Sequence, residues 1–291
     1  MRRLVRLLQR LVILAIGVVS VWLIAFVVFD FADKRLPLVL ALSATYAMGA
    51  YVILPYAVRM GLKVLQHGSV PQYTITGDGL PGDPVNLALS GTLGELRAAF
   101  AAAGWQSADR LGLSSTWHMV RAFVLNESYP TAPFSTLYLF GRGQDIGFQK
   151  AIGDSPRRRH HVRFWGKSLD EVPAGPVTAS FWLNTDQPDP ERSVLWVGAG
   201  TRDTGLSLTR LTFQVTHATD ADSDAEREYI VESLRRCGAI GNVTLSRTGD
   251  ELAGAHVNHY VTDGEVAVAE LTPPAGDSPD AARRAPRAVT R

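Results

Sequence analysis

The sequence predicts an α+β protein: an N-terminal two-helix transmembrane hairpin followed by one mixed, mostly antiparallel sheet domain with packed helices. Three observations predict it. Two long uncharged runs open the chain, short apolar runs broken by Gly, Pro and Asp fill its middle, and capping signals mark the helices around them.

The uncharged runs are Leu11–Phe29, nineteen residues, and Leu36–Val58, twenty-three, each long enough for a hydrocarbon core of about 30 Å at about 1.5 Å per residue. Only residues 30–35 separate them, so the helices run antiparallel. A cleaved signal peptide explains Arg2, Arg3, Arg6 and Arg10 as well, but its apolar region is shorter and no second span follows it. Neither span contains Asp, Glu, Lys, Arg or His, which excludes an intramembrane proton relay or ion path and leaves an anchor. Four basic residues precede the first span, Lys34 and Arg35 lie in the hairpin, and Arg59 and Lys63 follow the second. That bias predicts an inner-membrane protein with both termini in the cytoplasm. The organisation is thus 1–67 hairpin, 68–84 Gly- and Pro-rich linker, 85–271 α+β domain and 272–291 disordered tail.

Averages hide this division. Mean hydropathy is +0.04 and net charge +1, yet residues 1–67 carry eight basic and two acidic side chains while residues 68–270 carry 17 basic against 24 acidic. An acidic body argues against nucleic acid as the main partner, because phosphate binding needs clustered Lys and Arg. The one cysteine, Cys237, rules out an intramolecular disulfide, in keeping with a reducing compartment.

Along the body, Val85–Ser90 alternates as a strand does, and Thr92 with Glu95 forms a capping box for a helix whose Leu93, Leu96 and Phe100 share a face and which Gly104 ends. A second helix is expected over 115–125. Strands follow at Ser135–Phe140, Asp145–Ala151, His160–Trp165, Ala179–Asn184, Val194–Gly198 and Leu211–His217. Ser223 with Glu226 reads as a second capping box, opening a helix with Ile230, Leu234 and Cys237 on one side. Asp263-Gly264 reads as a hairpin turn between His256–Thr262 and Glu265–Leu271.

No phosphate-binding loop, dinucleotide fingerprint, HExxH, GxSxG or CxxC is present, which excludes the best-signed nucleotide, zinc-protease and serine-hydrolase routes. Asp220, Asp222 and Asp224 imitate a calcium loop, but Ala225 and Val231 stand where Gly and Glu are required. The densest polar cluster is residues 157–165. As a strand it places Arg159, His161, Arg163 and Trp165 on one face and His160, Val162 and Phe164 on the other. His161 beside the arginines suits an anionic group and proton transfer near neutral pH. The alternative is arginines that are solvated or paired with the body's acids. Asp203, carried out of a strand by the glycines of 198–203, joins His217 at the end of the next strand and Asp224 in a first helical turn. Converging with His161, these make a divalent-metal set for Zn, Mn or Mg; without metal, His161, His217 and Asp203 suit acid–base catalysis. Asp145, with Gln149, and Arg227 complete the candidate ligand-binding residues.

Taken in order, Gly104-Trp105, the 128–135 segment, Gly141–Asp145, Arg159–Arg163, Gly198–Asp203 and Thr216-His217 followed by Asp224–Arg227 resemble the LssY C-terminal domain family of bacteria over about residues 85–240. That family is often joined to membrane segments, in some members phosphatase-like ones. The resemblance implies a membrane-associated domain and no established reaction. The acid-phosphatase motifs of those partners are missing from these spans, so a lipid-phosphatase activity does not carry over. Two readings stay open: a bilayer-anchored domain binding an anionic, lipid-linked ligand or an envelope partner through Arg159, His161 and Arg163, and a metal-dependent or acid–base hydrolase of a phosphorylated or ester-containing envelope substrate.

Overall fold

A computed structural model describes residues 2–65, 70–109, 129–153, 158–168, 189–208, 215–247 and 260–272, with scattered positions from 112 to 121. The N-terminal helices are α1 (Arg2–Trp22), a π-helical turn Leu23–Val28, α2 (Phe29–Asp33), α3 (Leu38–Met48), a second π-helical stretch Gly49–Ile53, and α4 (Leu54–Leu65). They form two rods, Leu7–Asp33 and Leu38–Leu62, long and apolar enough to cross a membrane. The rods are antiparallel, with Gln9 Nε2 donating to the Val64 carbonyl at 2.9 Å. Small residues line their contact: Ala32, Ala41, Gly49 and Ala50 are buried, and a Cβ on Gly49 would stand 3.3 Å from Ile24 Cδ1. Close backbone approach of this kind drives association where no hydrophobic effect operates between helices. Phe26 and Val39, 68% and 73% exposed, point away from the partner rod.

The remainder is β1 (Tyr73–Ile75), β2 (Pro81–Pro84), β3 (Leu87–Gly91), α5 (Leu93–Ala102), β4 (Gln106–Ser107), β5 (Tyr138–Leu139), β6 (Arg142–Gly143), β7 (Ile146–Ala151), β8 (Arg159–Lys167), β9 (Val194–Leu208), β10 (Val215–Thr219), α6 (Ser223–Arg236), β11 (Ile240–Arg247) and β12 (Glu265–Leu271). A large sheet runs β11-β12-β3-β9-β8-β7-β4, with β10 also on β9; a small sheet runs β2-β1-β5-β6. Pairing is antiparallel except between β12 and β3. On one face of the large sheet, Leu96 and Phe100 of α5 and Ile230 and Leu234 of α6 pack with Phe148, Val162, Phe164 and Trp196. Phe100 lies flat on Phe148 at 4.3 Å and edge-on to Phe164 at 5.4 Å. On the opposite face, Trp165, Val197 and Ala199 pack with Leu137 and Leu139 from the small-sheet side. The three layers are helices, large sheet and small sheet.

The Thr92–Glu95 capping box forms as the sequence predicts. The second cap differs: Asp222 is the N-cap, its side chain accepting from Ala225 N–H, and Glu226 turns inward to His160. Cys237 is exposed at the end of α6 rather than on its packed side. The 68–84 stretch, expected as a linker, carries β1 and β2. Among the described residues Asp263-Gly264 closes no hairpin: both edges of β12 are taken by β11 and β3 and Val261 bridges to Asp222, while residues 256–259 of the expected first strand lie outside the described residues. Ser115, Trp117, His118 and Arg121 of the expected second helix are helical; its other residues, the Ala179–Asn184 strand and the tail beyond Thr272 lie outside the described residues.

The glycines of 198–203 form no turn. β9 runs straight through them, and they serve packing: a Cβ on Gly198 would crowd Phe164, and one on Gly200 would overlap Ile230 Cδ1. Gly200→Val is therefore expected to destabilise the domain by about 1–3 kcal/mol through overpacking. Gly205→Val, at a position with nothing within 4 Å of an added Cβ, should stay within about 0.5 kcal/mol of wild type. Urea unfolding followed by tryptophan fluorescence in detergent checks both.

Candidate functional site

The strict alternation of β8 sends His160, Val162 and Phe164 to the helix side and Arg159, His161, Arg163 and Trp165 to the small-sheet side. The cationic face is buried: Arg159, His161 and Arg163 are 5%, 1% and 4% exposed. Groups from five other segments close over it.

Asp203 on β9, opposite Arg159 in register, accepts from Arg159 Nε at 2.8 Å, and its second oxygen lies 3.0 Å from His161 Nδ1. Thr201, two residues earlier on the same face, places Oγ1 2.9 Å from His161 Nε2. Gln149 on β7 accepts from Arg159 Nη1 at 2.5 Å. From the small sheet, Asp83 on β2 accepts from Arg163 Nη1 at 2.5 Å and from the Tyr260 hydroxyl at 2.8 Å, and Tyr260 also meets Thr219 Oγ1 at 2.7 Å. Phe134 covers the row: its ring centroid is 4.9 Å from each guanidinium carbon and 5.2 Å from the imidazole centroid. Arg163 Nη1 lies 2.6 Å from His161 Nε2. A guanidinium only donates, so in the neutral ring Nε2 accepts and Nδ1 carries the proton that faces Asp203. Arg163 Nε, buried among these groups, has no acceptor.

Two arginines face two aspartates, which leaves His161 to set the local charge. Burial draws the imidazole pKa down, as does Arg163, but Asp203 and Asp83 outweigh them and hold it above its usual value. For Asp83, burial raises the carboxyl and Arg163, His161 and Tyr260 lower it further, so it ends below the usual range. Burial lowers the Arg159 pKa by more than Asp203 restores. Tyr260 is pushed well up by burial and by Asp83, which keeps its hydroxyl a donor.

The other candidates lie elsewhere. Asp145 pairs with Arg142 at 2.6 Å and accepts from Gly166 N–H at 2.8 Å, while Arg142 reaches the Gly166 carbonyl. That clamp is about 16 Å along β8 from His161 and fixes β6 to the large sheet. Arg227 holds Asp263 in two bonds, 2.8 and 3.0 Å, and donates to the Glu265 carbonyl. Asp224 accepts from Thr262 Oγ1 and Asp263 N–H in that same cluster at the start of α6. His217 sits within β10 opposite Leu206, its side chain outside what the structure describes. The structure thus brings His161 and Asp203 together and puts Asp224 in a separate cluster. Among the described residues no group of three or more His, Cys, Asp or Glu could hold a metal ion. His160, on the far face, pairs with Glu226 at 2.7 Å and stacks on Tyr229 at 3.9 Å.

Sequence reasoning missed Asp83, Thr201, Phe134 and Tyr260. Asp83 was hidden in a Gly- and Pro-rich stretch and Tyr260 in an expected hairpin. Thr201 was legible in one respect, since alternation along a continuous β9 puts it on the face of Asp203.

The linkage signs follow from these shifts. Asp83 is lowered from 3.8, and Asp263, held by Arg227, likewise, so both stabilise above that pH and their contribution is lost as pH falls through the folded values. His161 is raised from 6.5, so its contribution is full below 6.5 and is lost as pH rises through its folded value. Unfolding midpoints measured across pH should therefore fall on both sides of a maximum between these values. Asp83→Asn should weaken the acid limb, and His161→Asn should flatten the alkaline limb.

No curated protein and no solved structure matches the chain. A family model described as LssY C-terminus matches residues 67–266, more than half of the sequence and every strand of both sheets up to the start of β12. The chain belongs to the LssY C-terminal domain family.

Proposed function

We infer that this is a bacterial inner-membrane protein, multi-pass, whose LssY C-terminal domain lies in the cytoplasm and binds an oxyanion group of an envelope ligand at the Arg159–His161–Arg163 row. The observation that carries the binding reading is Arg163 Nε, a charged donor without an acceptor inside a buried polar network. Such donors are scarce in folded proteins because leaving one unpaired is costly. A ligand oxygen supplies the missing acceptor, Arg159 and Gln149 add donors beside it, and a protonated His161 balances the incoming charge. Asp83 and Asp203 hold the guanidiniums in place in the absence of ligand. The anchor reading rests on the two apolar rods and the basic residues that flank them.

A second reading draws on a different observation. Thr201 Oγ1, the His161 ring and Asp203 stand in the order hydroxyl, imidazole, carboxylate at 2.9 and 3.0 Å. That order suits acid–base hydrolysis, with His161 moving the proton and Asp203 orienting the ring. Binding is preferred because Thr201 is 1% exposed and Arg163 competes for the same ring nitrogen.

Inorganic phosphate should raise the thermal midpoint of the purified protein. Arg163→Met combined with Asp83→Asn removes the pair together and avoids an unpaired buried charge, and should abolish that rise. Turnover of p-nitrophenyl phosphate that disappears in His161→Gln would instead favour hydrolysis. For topology, a reporter fused after Arg291 should be active only if it functions in the cytoplasm; activity of a periplasm-dependent reporter would overturn the orientation.

A further inference from the structure

We propose that Phe134 occupies the place of the ligand's anionic group, so that the domain's own side chain closes the site until an oxyanion displaces it. This rests on the oxyanion reading of the Arg159–His161–Arg163 row.

Phe134 is 4% exposed, and its ring lies over both guanidiniums and the imidazole together. A ring face attracts cations but offers Arg163 Nε no lone pair, so that donor stays without an acceptor beneath it. The ring adds an attraction for the row's cations, which Asp203 and Asp83 already pair, and no hydrogen bond for Arg163 Nε. An oxyanion supplies both.

The segment that carries Phe134 is held as a removable cover would be. Residues 129–136 belong to no strand. The Ala132 carbonyl accepts from Arg159 Nη1 at 3.3 Å and from Gln149 Nε2 at 3.0 Å, so two of the donors that a ligand would use now hold the cover. Its ends are tied elsewhere. Asp109 accepts from the Tyr129 hydroxyl at 2.7 Å and from Thr131 Oγ1 at 2.9 Å, and Leu137 N–H donates to Gln144 Oε1 at 3.0 Å. Beneath the ring, β7 carries Gly147, opposite Arg163 in register; a Cβ there would overlap Phe134. Gly147 is the seat. On binding, Arg159 and Gln149 exchange the Ala132 carbonyl for ligand oxygens, Arg163 Nε gains an acceptor, and Phe134 leaves its seat while the two tied ends stay in place.

The ligand chemistry is a phosphate group, free or on a lipid head. The test uses the full chain in phosphatidylcholine nanodiscs, titrated with inorganic phosphate. Binding is read from the thermal midpoint, and opening from hydrogen exchange over 129–137. Phosphate should speed exchange in that segment. Phe134→Leu, which keeps an apolar side chain, and Gly147→Ala, which unseats the ring without altering it, should each tighten phosphate by about tenfold, as removal of a competing closed state does. Equal affinity in wild type and both variants, with exchange unchanged, would overturn the placement of Phe134 while leaving the oxyanion site standing. No binding by any of the three, each folded by circular dichroism, would remove the oxyanion site itself and this inference with it. Nanodiscs containing phosphatidic acid separate the sources: faster exchange there without added phosphate identifies a lipid head group, and faster exchange only with added phosphate a soluble one.

Discussion

The ion pair between Arg163 on β8 and Asp83 on β2 joins the two sheets through a buried contact, and the surrounding groups keep it enclosed and hydrogen-bonded. Isolated, neither charge would tolerate such burial. Asp83 is therefore given a second donor in Tyr260, Arg163 a ring face in Phe134, and the neighbouring Arg159 its own carboxylate in Asp203. The opposing charges are nearly balanced, so His161 alone tips the sum. A network of this kind rigidifies when complete and becomes sensitive where one member is left unpaired. Arg163 Nε is such an atom here.

The segment 260–265 ties this network to a second one. Tyr260 reaches Asp83, while Thr262 and Asp263 reach Asp224 and Arg227 at the start of α6. Asn86 makes a further link. Its side-chain amide bonds both to Gly200 of β9 and to the Ser223 carbonyl, filling the stretch of β9 left open between β3 and β10. The polar side of the large sheet and the N-terminus of α6 are thus linked through residues 260–265 and Asn86.

Two different packing logics operate in one chain. In the helical hairpin, small residues bring backbones together and the large apolar side chains face outward. In the sheet domain the order is reversed: Phe100, Phe148, Phe164 and Trp196 are enclosed, and glycines at 198 and 200 make room for the side chains packed on them.

Much was legible from local pattern. The uncharged runs, the Thr92–Glu95 cap and the alternation that separates Arg159, His161 and Arg163 from His160 and Val162 follow from composition and short-range spacing, and the family follows from the resemblance of ordered motifs. What stayed hidden depends on contacts between distant segments. Burial of the cationic face requires Asp83, eighty residues before Arg163, to arrive on a strand that its Gly- and Pro-rich surroundings disguise. The glycines around Asp203 read as a turn because sequence does not show Ile230 and Phe164 packing above them. Asp263-Gly264 read as a hairpin because sequence does not show both edges of β12 occupied. The sequence by itself determined the two helices long and apolar enough to cross a membrane, the family and which side chains share a strand face. Only the tertiary structure decided that this face looks inward, that His161 meets Asp203 and Thr201 rather than Asp224, and that Phe134 covers it. Partner choice across a sheet or between layers is settled by geometry and burial, which no local pattern encodes.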